Sequence, residues 1–458
     1  MVTLPRAATL DLAGWGRNPV ESCLVYRPER ESELASIVAS APTESVLSRG
    51  MGRSYGDAAS NAGRGVMLHE RFDRFLAFDE QAAVVHCESA VTLSDLIDVL
   101  LPRGFFLPVT PGTRQISVGG AIAADVHGKN HHRDGTISSQ LVDFRLLCAD
   151  GRILSCSRDH NADLFWATLG GMGLTGAILD ARLRVRRVET AYLRQQTLRC
   201  RDLDDALARM LAEDAAYEYA VAWIDCLARG RSLGRSVLLR ANPAARDELP
   251  RRAREAPHRI ERPLPLAVPF ELPGFVLNPL SMRIFNQGFW TVHPDRDGIA
   301  SYQSYFYPLD SVRSWNRVYG RGGVLQYQLV LPLESCRDGL IEILERVARS
   351  GRASFLAVLK TTGPANEGPL SFPIEGASLA LDFPGRSPEV RELLDELDRI
   401  VLARGGRVYL AKDARLAPGV FREMYPQLDR FREIKTKYDP DARFSSSLAR
   451  RLGIVEAR

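Results

Sequence analysis

TPGTRQISVGGAIAADVHGKNHH, residues Thr110 to His132, joins glycine-rich backbone to a tight cluster of ionisable side chains. Gly112, Gly119 and Gly120 leave backbone N–H groups uncovered and let the main chain approach a large ligand closely, which suits phosphate or a flat heterocycle. His127, Lys129, His131 and His132 then crowd its C-terminal end. The chain has 8 histidines, so three in one short segment are its densest titratable feature, and titratable groups are what proton chemistry needs. The active site is expected here.

Two more glycine loops stand beside it. Ser48 to Asp57 reads SRGMGRSYGD; its Gly50, Gly52 and Gly56 are spaced one residue too far for the dinucleotide fingerprint, and the small polar run after it forms no amphipathic helix, which argues against a Rossmann unit. Gly170, Gly171, Gly173 and Gly176 precede a strand at Ala177 to Arg186. Three glycine loops, each beside a strand, fit one extended ligand laid across an α+β domain.

At 458 residues the chain exceeds one ordinary core and predicts two domains. Hydrophobic residues at 45% and charged residues at 25% are those of a globular protein. A net charge of +4, without basic runs or aromatic–basic interleaving, argues against a nucleic-acid partner. Only Lys129, Lys360, Lys412, Lys435 and Lys437 among the 60 basic residues are lysines, so a lysine beside a glycine loop stands out. The 7 cysteines are odd in number and scattered without a CxxC pair, which predicts reduced thiols and a cytoplasmic-type compartment. Neither a signal peptide nor a spanning helix is expected.

Periodicity predicts a helix over Ser32 to Ala41, a strand from Ser45 to Leu47, a strand over Ala82 to Ala90, and a Thr92-capped helix burying Leu93, Leu96, Ile97, Leu100 and Leu101. Asp150-Gly151 predicts a hairpin between Leu141 to Cys148 and Arg152 to Cys156, and a short helix follows over Asp163 to Leu169. From Thr190 onward, longer alternating segments such as Tyr219 to Cys226 and Leu325 to Leu331 indicate a mainly antiparallel second domain. Ser387 and Pro388 open a helix that Gly405 closes, and Gly406 to Lys412 is expected to be a strand delivering Tyr409 and Lys412 to the first domain. Arg262 to Leu280, rich in proline and bulky apolar residues, is no regular helix; it reads either as a buried crossover or as an apolar flap over a greasy substrate.

Each chemical candidate has a plainer alternative. His127 and His131 are spaced as helical metal ligands, but Gly128 intervenes and no acidic partner has suitable spacing, so no metal is expected. Spacing alone fits His127 equally as a hydrogen-bonded loop residue or a catalytic group, and lysines such as Lys129 and Lys412 are commonly surface charges. Composition and spacing therefore reach a two-domain α+β enzyme with an extended anionic cofactor, and stop there.

The segments SRGMGRSYGD, PVTPGTRQISVGGAIAADVHGKNHHRDG, LFWATLGGMGLTGAIL, WIDCLARGRSLGRSVL, VLQYQLVLP and GGRVYLAKDAR, with YDPDARFSSSLARRL at the end, resemble the decaprenylphosphoryl-β-D-ribose oxidase family. These are FAD enzymes of the vanillyl-alcohol oxidase/p-cresol methylhydroxylase type. The resemblance implies a two-domain α+β fold: an FAD domain over 1–190 with 408–458 returning to it, and a substrate domain over 191–407 built on an antiparallel sheet. It places the FAD pyrophosphate against backbone N–H groups of Ser48, Arg49, Gly50, Met51, Gly52, Arg53, Ser54, Tyr55, Gly56, Asp57 and Ala58, and of Gly112, Ser117, Val118, Gly119 and Gly120. Ala124, Asp125, Val126, His127, Ile178 and Tyr409 would complete the cofactor site. His127, Lys129, Gln328 and Lys412 match the family's polar residues around the flavin ring and sugar, with His127 taken as proton acceptor because its ordinary pKa lies near neutrality. Tyr55, Tyr307, Gln326 and Lys360 would hold the sugar phosphate.

Two departures from the family pattern are visible. Ser378 and Ala380 replace the usual Asn and Cys on the strand facing the flavin, and Arg53 stands where related oxidases carry the histidine that bonds covalently to FAD, so noncovalent FAD is expected. The activity implied is oxidation of the 2′-hydroxyl of a polyprenylphosphoryl ribofuranose to the 2′-keto sugar. A partner short-chain NAD(P)H reductase would complete the epimerisation. The expected location is cytoplasmic and peripheral at the inner membrane face, with the periplasmic face left open. Alternative readings are an FAD oxidase of a soluble sugar or alditol, and a noncatalytic sugar-phosphate binding protein.

Overall fold

The computed structural model describes residues 6–212, 216–261, 266–273, 276–352 and 356–455. Its N-terminal sheet runs in the order Ala8–Ala13, Val20–Tyr26, Gly65–Leu68, Val46–Arg49. Val20–Tyr26 and Val46–Arg49 both pair parallel to Gly65–Leu68, so the chain needs a crossover, which the helix Glu31–Ser40 supplies by burying Leu34, Ile37 and Val38. A five-stranded antiparallel sheet follows in the order Phe75–Asp79, Val84–Glu88, Ala177–Arg184, Leu141–Leu147, Ile153–Ser157. Its last two strands form the hairpin that Asp150-Gly151 predicts. Thr92 caps the helix Leu93–Leu100 by a reciprocal box, its hydroxyl accepting from Asp95 N at 3.1 Å while the Asp95 carboxylate accepts from Thr92 N at 3.0 Å.

The second half is dominated by an eight-stranded sheet, in the order Arg296–Ser301, Tyr192–Cys200, Ser236–Pro243, Tyr219–Ile224, Ala357–Thr362, Gly376–Pro384, Val324–Pro332, Arg407–Val408. Strand side chains alternate between faces, and here the alternation separates two functions. Leu329 and Leu331, Leu379 and Leu381, and Ala357 and Leu359 face the core with Leu340, Ile343, Leu344 and Val347 of the helix Leu333–Ser350 and Leu393, Leu394 and Leu397 of the helix Pro388–Ala403. Gln326, Gln328, Val358, Lys360, Ser378 and Ala380 take the other parity and face a cavity. The predicted strand Gly406 to Lys412 shortens to Arg407–Val408, because Lys412 N bonds back to Tyr409 O at 2.9 Å and turns the chain.

Arg262 to Leu280 is also corrected in part. Leu266–Ala267 pairs parallel with Val312–Arg313, and a helix, Pro279–Val292, begins inside the stretch, capped by the Asn278 side chain accepting from Leu280 N at 2.9 Å. Leu266, Phe270 and Leu280 are exposed, so this part of the stretch is not a buried crossover; Phe275 lies outside the described residues.

Arginines near the C-terminus bind the two chain ends together. Arg443 donates to the carbonyls of Val38, Ile37 and Ala41, closing the C-terminus of the crossover helix, and Val46 pairs with Phe444. Arg451 donates to both oxygens of Asp57, each at 2.7 Å, to Asp413 at 2.8 Å and to the Leu416 carbonyl at 2.9 Å. Both carboxylates are buried. Arg451→Met should therefore destabilise the protein by about 3–5 kcal/mol, the scale of a buried charge left unpaired, measured by denaturant unfolding of the loaded protein. A loss below about 1 kcal/mol, as for a surface ion pair, would contradict that role.

Candidate active site

The sheet's polar face and the glycine loops enclose a continuous cavity of about 1490 Å³. That exceeds the roughly 300–1,000 Å³ of ordinary ligand pockets. Ser48, Arg49, Gly50, Met51, Gly52, Arg53, Ser54, Tyr55 and Ala58 line it from the first loop, and Gly112, Ser117, Gly119 and Gly120 from the central stretch. Gly52 adopts φ +59°, a left-handed conformation that favours glycine, and a Cβ on Gly50 would stand 2.1 Å from Ser117 Oγ, so the two loops can touch only through a bare backbone. Gly56 and Asp57 do not face the cavity: a Cβ at Gly56 would strike the Asp413 carbonyl, and Asp57 is turned onto Arg451. Val118 is likewise buried in core, as the inward residue of the short helix Val118–Ala123.

Ala124, Val126, His127 and Lys129 line the cavity, as do Ile178 and Tyr409. Asp125 between them points elsewhere, its carboxylate accepting from Asn366 and Ser371 at 2.6 Å each. The three clustered histidines diverge. His131 Nδ1 accepts from Gly363 N at 3.0 Å, His132 Nε2 donates to the Tyr217 carbonyl at 3.1 Å, and His127 Nε2 accepts from the Gln328 amide at 3.0 Å. His127 is buried, and desolvation, with Lys360 as a second cause, holds its pKa well below 6.5. A ring so depressed, with one nitrogen already accepting, lacks the near-neutral pKa on which its expected role as proton acceptor rests. Its other nitrogen, Nδ1, is buried without a protein partner. Carrying the ring proton, it is a donor aimed at a ligand acceptor, since a buried unpaired donor costs about 1–3 kcal/mol.

Cross-strand register builds the opposite wall. Gln328, Ala380, Val358 and Trp223 are successive partners along one row, and Lys360 pairs with Ser378 in the next. Gln328 also donates to Ser378 Oγ at 3.3 Å. Beyond this end the lining gains the large apolar side chains Trp223, Leu239, Phe285, Phe289 and Val358, with Gln195, His293 and Arg296 beside them. Tyr307 is not on the wall: it is buried, and its hydroxyl meets Thr110 Oγ1 at 2.5 Å, so it braces the central stretch from behind.

Three lysines share the cavity. Burial pushes Lys129 to about 7, and burial with the neighbouring Lys412 and Lys129 pushes Lys360 to about 7; burial lowers Lys412 to about 8 against the pull of Asp382. Lys129 is tied to the Tyr305 carbonyl and lies 4.5 Å over the Tyr305 ring, whereas Lys412 lies 4.1 Å over Tyr55. Gln326 links Tyr55 to Asp382, its amide lying 3.2 Å from the Tyr55 hydroxyl and 2.6 Å from the Asp382 carboxylate. Asp382 escapes a reading of the motifs, yet it shares the strand parity of Ser378 and Ala380, which is the signal that finds it. His69, buried between Ser89 Oγ at 3.0 Å and Ser48 Oγ at 3.1 Å, carries no comparable signal. Asp382→Asn should remove the charge that raises the Lys412 pKa, moving the basic limb of the kcat profile, read with substrate phosphate bound, to lower pH with the melting temperature unchanged. An unmoved limb would separate Asp382 from Lys412.

Residues 23–157 match the model of an FAD binding domain, and 382–452 match that of D-arabinono-1,4-lactone oxidase. The chain is 37% identical to decaprenylphosphoryl-beta-D-ribose oxidase of Mycolicibacterium smegmatis over 453 residues, 98% of each chain. It is 40% identical to an uncharacterized Streptomyces coelicolor protein over 372 residues, 80% of this chain and 100% of that one. Mouse L-gulonolactone oxidase is 28% identical over 162 residues, 35% of this chain and 37% of its own.

The cavity fits FAD: it has room for cofactor and substrate together, and the first and central loops line it with the glycine backbone of Gly50, Gly52, Gly112, Gly119 and Gly120, of which Gly112 has open space where a Cβ would stand. Arg53 stacks over Trp15 at 4.8 Å and offers no nucleophile, while both nitrogens of the cavity-lining His69 are occupied by serines. Acid precipitation should consequently release all the flavin into the supernatant, and flavin retained on the pellet would reveal a covalent bond. Near full-length identity, together with an FAD-binding match that spans two of the glycine loops, shows that the chain belongs to the decaprenylphosphoryl-β-D-ribose oxidase family of FAD-dependent oxidoreductases.

Proposed function

We propose that this protein oxidises the 2′-hydroxyl of a polyprenylphosphoryl-β-D-ribofuranose to the 2′-keto sugar, as the first half of an epimerisation to the arabinose form. The observation that carries this reading is one cavity that joins polar groups at His127, Gln328, Lys360 and Lys412 to the large apolar side chains Trp223, Phe285 and Phe289. A sugar phosphate on an isoprenoid tail needs both. Bound FAD would supply the acceptor for the hydride from C2′, while the hydroxyl proton leaves to solvent. Gln328 and His127 orient the sugar, His127 donating through Nδ1 and Gln328 fixing the ring from its other nitrogen. Lys412 places positive charge where negative charge develops on reduction, and Tyr55, stacked beneath it, sets its position. Lys129 and Lys360 attract the phosphate, which in turn would restore protons that burial weakens.

The keto product requires a hydride donor to return it as the epimer, so a short-chain NAD(P)H reductase is the partner. Among the described residues no helix is long and apolar enough to cross a membrane, so we place the protein peripherally at the membrane that holds its substrate. The lactone-oxidase match begins at Asp382 and thus covers the Tyr409–Lys412 turn but not the substrate face built from 221 to 380, which leaves the lipid-linked reading ahead of a soluble sugar.

Turnover should be seen with a short-chain polyprenylphosphoryl ribose and not with free alditols; the reverse preference would defeat the proposal. Because Lys129 and Lys360 lose protons as pH rises through about 7, kcat/KM for the phosphorylated substrate should fall above neutrality. Lys360→Met should lower it roughly 10–100-fold, the loss of a charge-assisted contact of about 1.5–3 kcal/mol. A dephosphorylated analogue should respond to neither change.

A further inference from the structure

The strand-helix segment running to Val292 gathers bulky apolar side chains onto the surface. Leu266, Phe270, Leu280, Ile284 and Val292 are 65%, 63%, 67%, 66% and 66% exposed, more than any other large hydrophobic residue described. Leu280 and Ile284 are about one turn apart on one face of the helix Pro279–Val292, and Val292, its last residue, lies about 80° further round. The stripe they form is not a loosely packed face turned outward. The helix is rooted on its other side by buried Met282, by Asn286 donating to Asp225 at 2.5 Å, and by Phe289, whose ring packs 4.4 Å from Trp223 on the cavity wall.

The charges along the stripe are basic, and exposed acidic ones stand past its end: Asp295 and Asp297 lie three and five residues beyond Val292, Asp295 accepting from Arg199 N at 2.7 Å. The helix contains no acidic residue and exposes Arg283; Arg313 is exposed on the strand paired with Leu266–Ala267. Glu271, the one carboxylate from 266 to 292, is locked between Arg17 at 2.5 Å and Arg317 at 3.9 Å. Asp310 is turned inward onto Thr113 and Arg114 N. An apolar stripe with basic flanks is the composition of an interfacial helix on an anionic bilayer. A second copy would set arginines against arginines, which like-charge repulsion disfavours.

We propose that the helix Pro279–Val292, with Leu266 and Phe270 beside it, docks the protein on an anionic phospholipid bilayer. Leu280, Ile284 and Val292 enter the headgroup–acyl boundary and Arg283 and Arg313 meet lipid phosphates. Since Phe285 and Phe289 of this helix line the cavity, docking sets that part of the cavity at the lipid surface. This rests on the lipid-linked substrate reading, from which a tail would pass into it without crossing water.

The test floats the FAD-loaded full chain with vesicles of phosphatidylcholine, alone or mixed with phosphatidylglycerol. Binding is expected on the mixed vesicles, weakened by high salt and absent on phosphatidylcholine alone. Leu280→Ser, Ile284→Ser and Val292→Ser together should cut the bound fraction at least about tenfold, with FAD content, melting temperature and turnover of a short-chain substrate unchanged. Should that variant melt early, Arg283→Gln with Arg313→Gln decides, and is expected to abolish the preference for anionic vesicles. Failure of the wild type to float, flotation of a folded serine variant like the wild type, or an arginine variant that keeps the preference overturns the proposal. So does wild-type self-association that the serine substitutions abolish while flotation persists, which would assign the stripe to a second copy. Turnover without flotation would sink docking and leave the substrate reading standing; flotation without turnover would do the opposite.

Discussion

The Arg451 guanidinium holds Asp57 and Asp413 at once, and the arrangement of the cavity depends on it. Asp57 ends the loop that carries Tyr55, and Asp413 follows Lys412, so this contact registers two cavity walls separated by more than three hundred residues of chain. Two carboxylates this deeply buried repel each other and are tolerated only with a shared cation. Arg443 adds a second tie by capping the crossover helix. Both ends of the chain therefore meet at the cavity, and the eight-stranded sheet is built from residues between them.

That sheet divides its work by parity. One set of alternate side chains builds a leucine core under two helices, and the other builds a wall that runs from amide and lysine to valine and tryptophan. A rigid strand lattice holds amide groups to tight positions because their backbone is fixed on both sides. The same continuity brings the wall to the helix Pro279–Val292, so under the docking proposal sugar chemistry and lipid contact would fall at opposite ends of one wall.

Electrostatics inside the cavity run against the ordinary charge states. Burial weakens His127 as a base and loosens the protons of Lys129, Lys360 and Lys412, while Asp382 is pushed up to about 7. Such a site is poised to take up an anion, because an arriving negative charge restores the lysine protons and improves its own binding.

Much of this was legible in the residues themselves. The Thr92 capping box, the Asp150-Gly151 hairpin, the Ser387-Pro388 helix start and the glycine loops are settled within a few positions, since caps and turns satisfy their hydrogen bonds locally. Family motifs named the surroundings of His127, Gln328 and Lys412. Only the tertiary structure decided which way side chains face. It turned Tyr307 onto Thr110 and Asp57 onto Arg451, set Asp125 against Ser371, and brought Asp382 behind Gln326. Each of those directions is fixed by a partner distant in sequence, as His127 is by Gln328, 201 residues away. Local periodicity tells which face of an element is apolar, but a polar group's partner is chosen by the packing of whole sheets and loops, because a buried donor or acceptor must find whatever the fold has placed within about 3 Å of it.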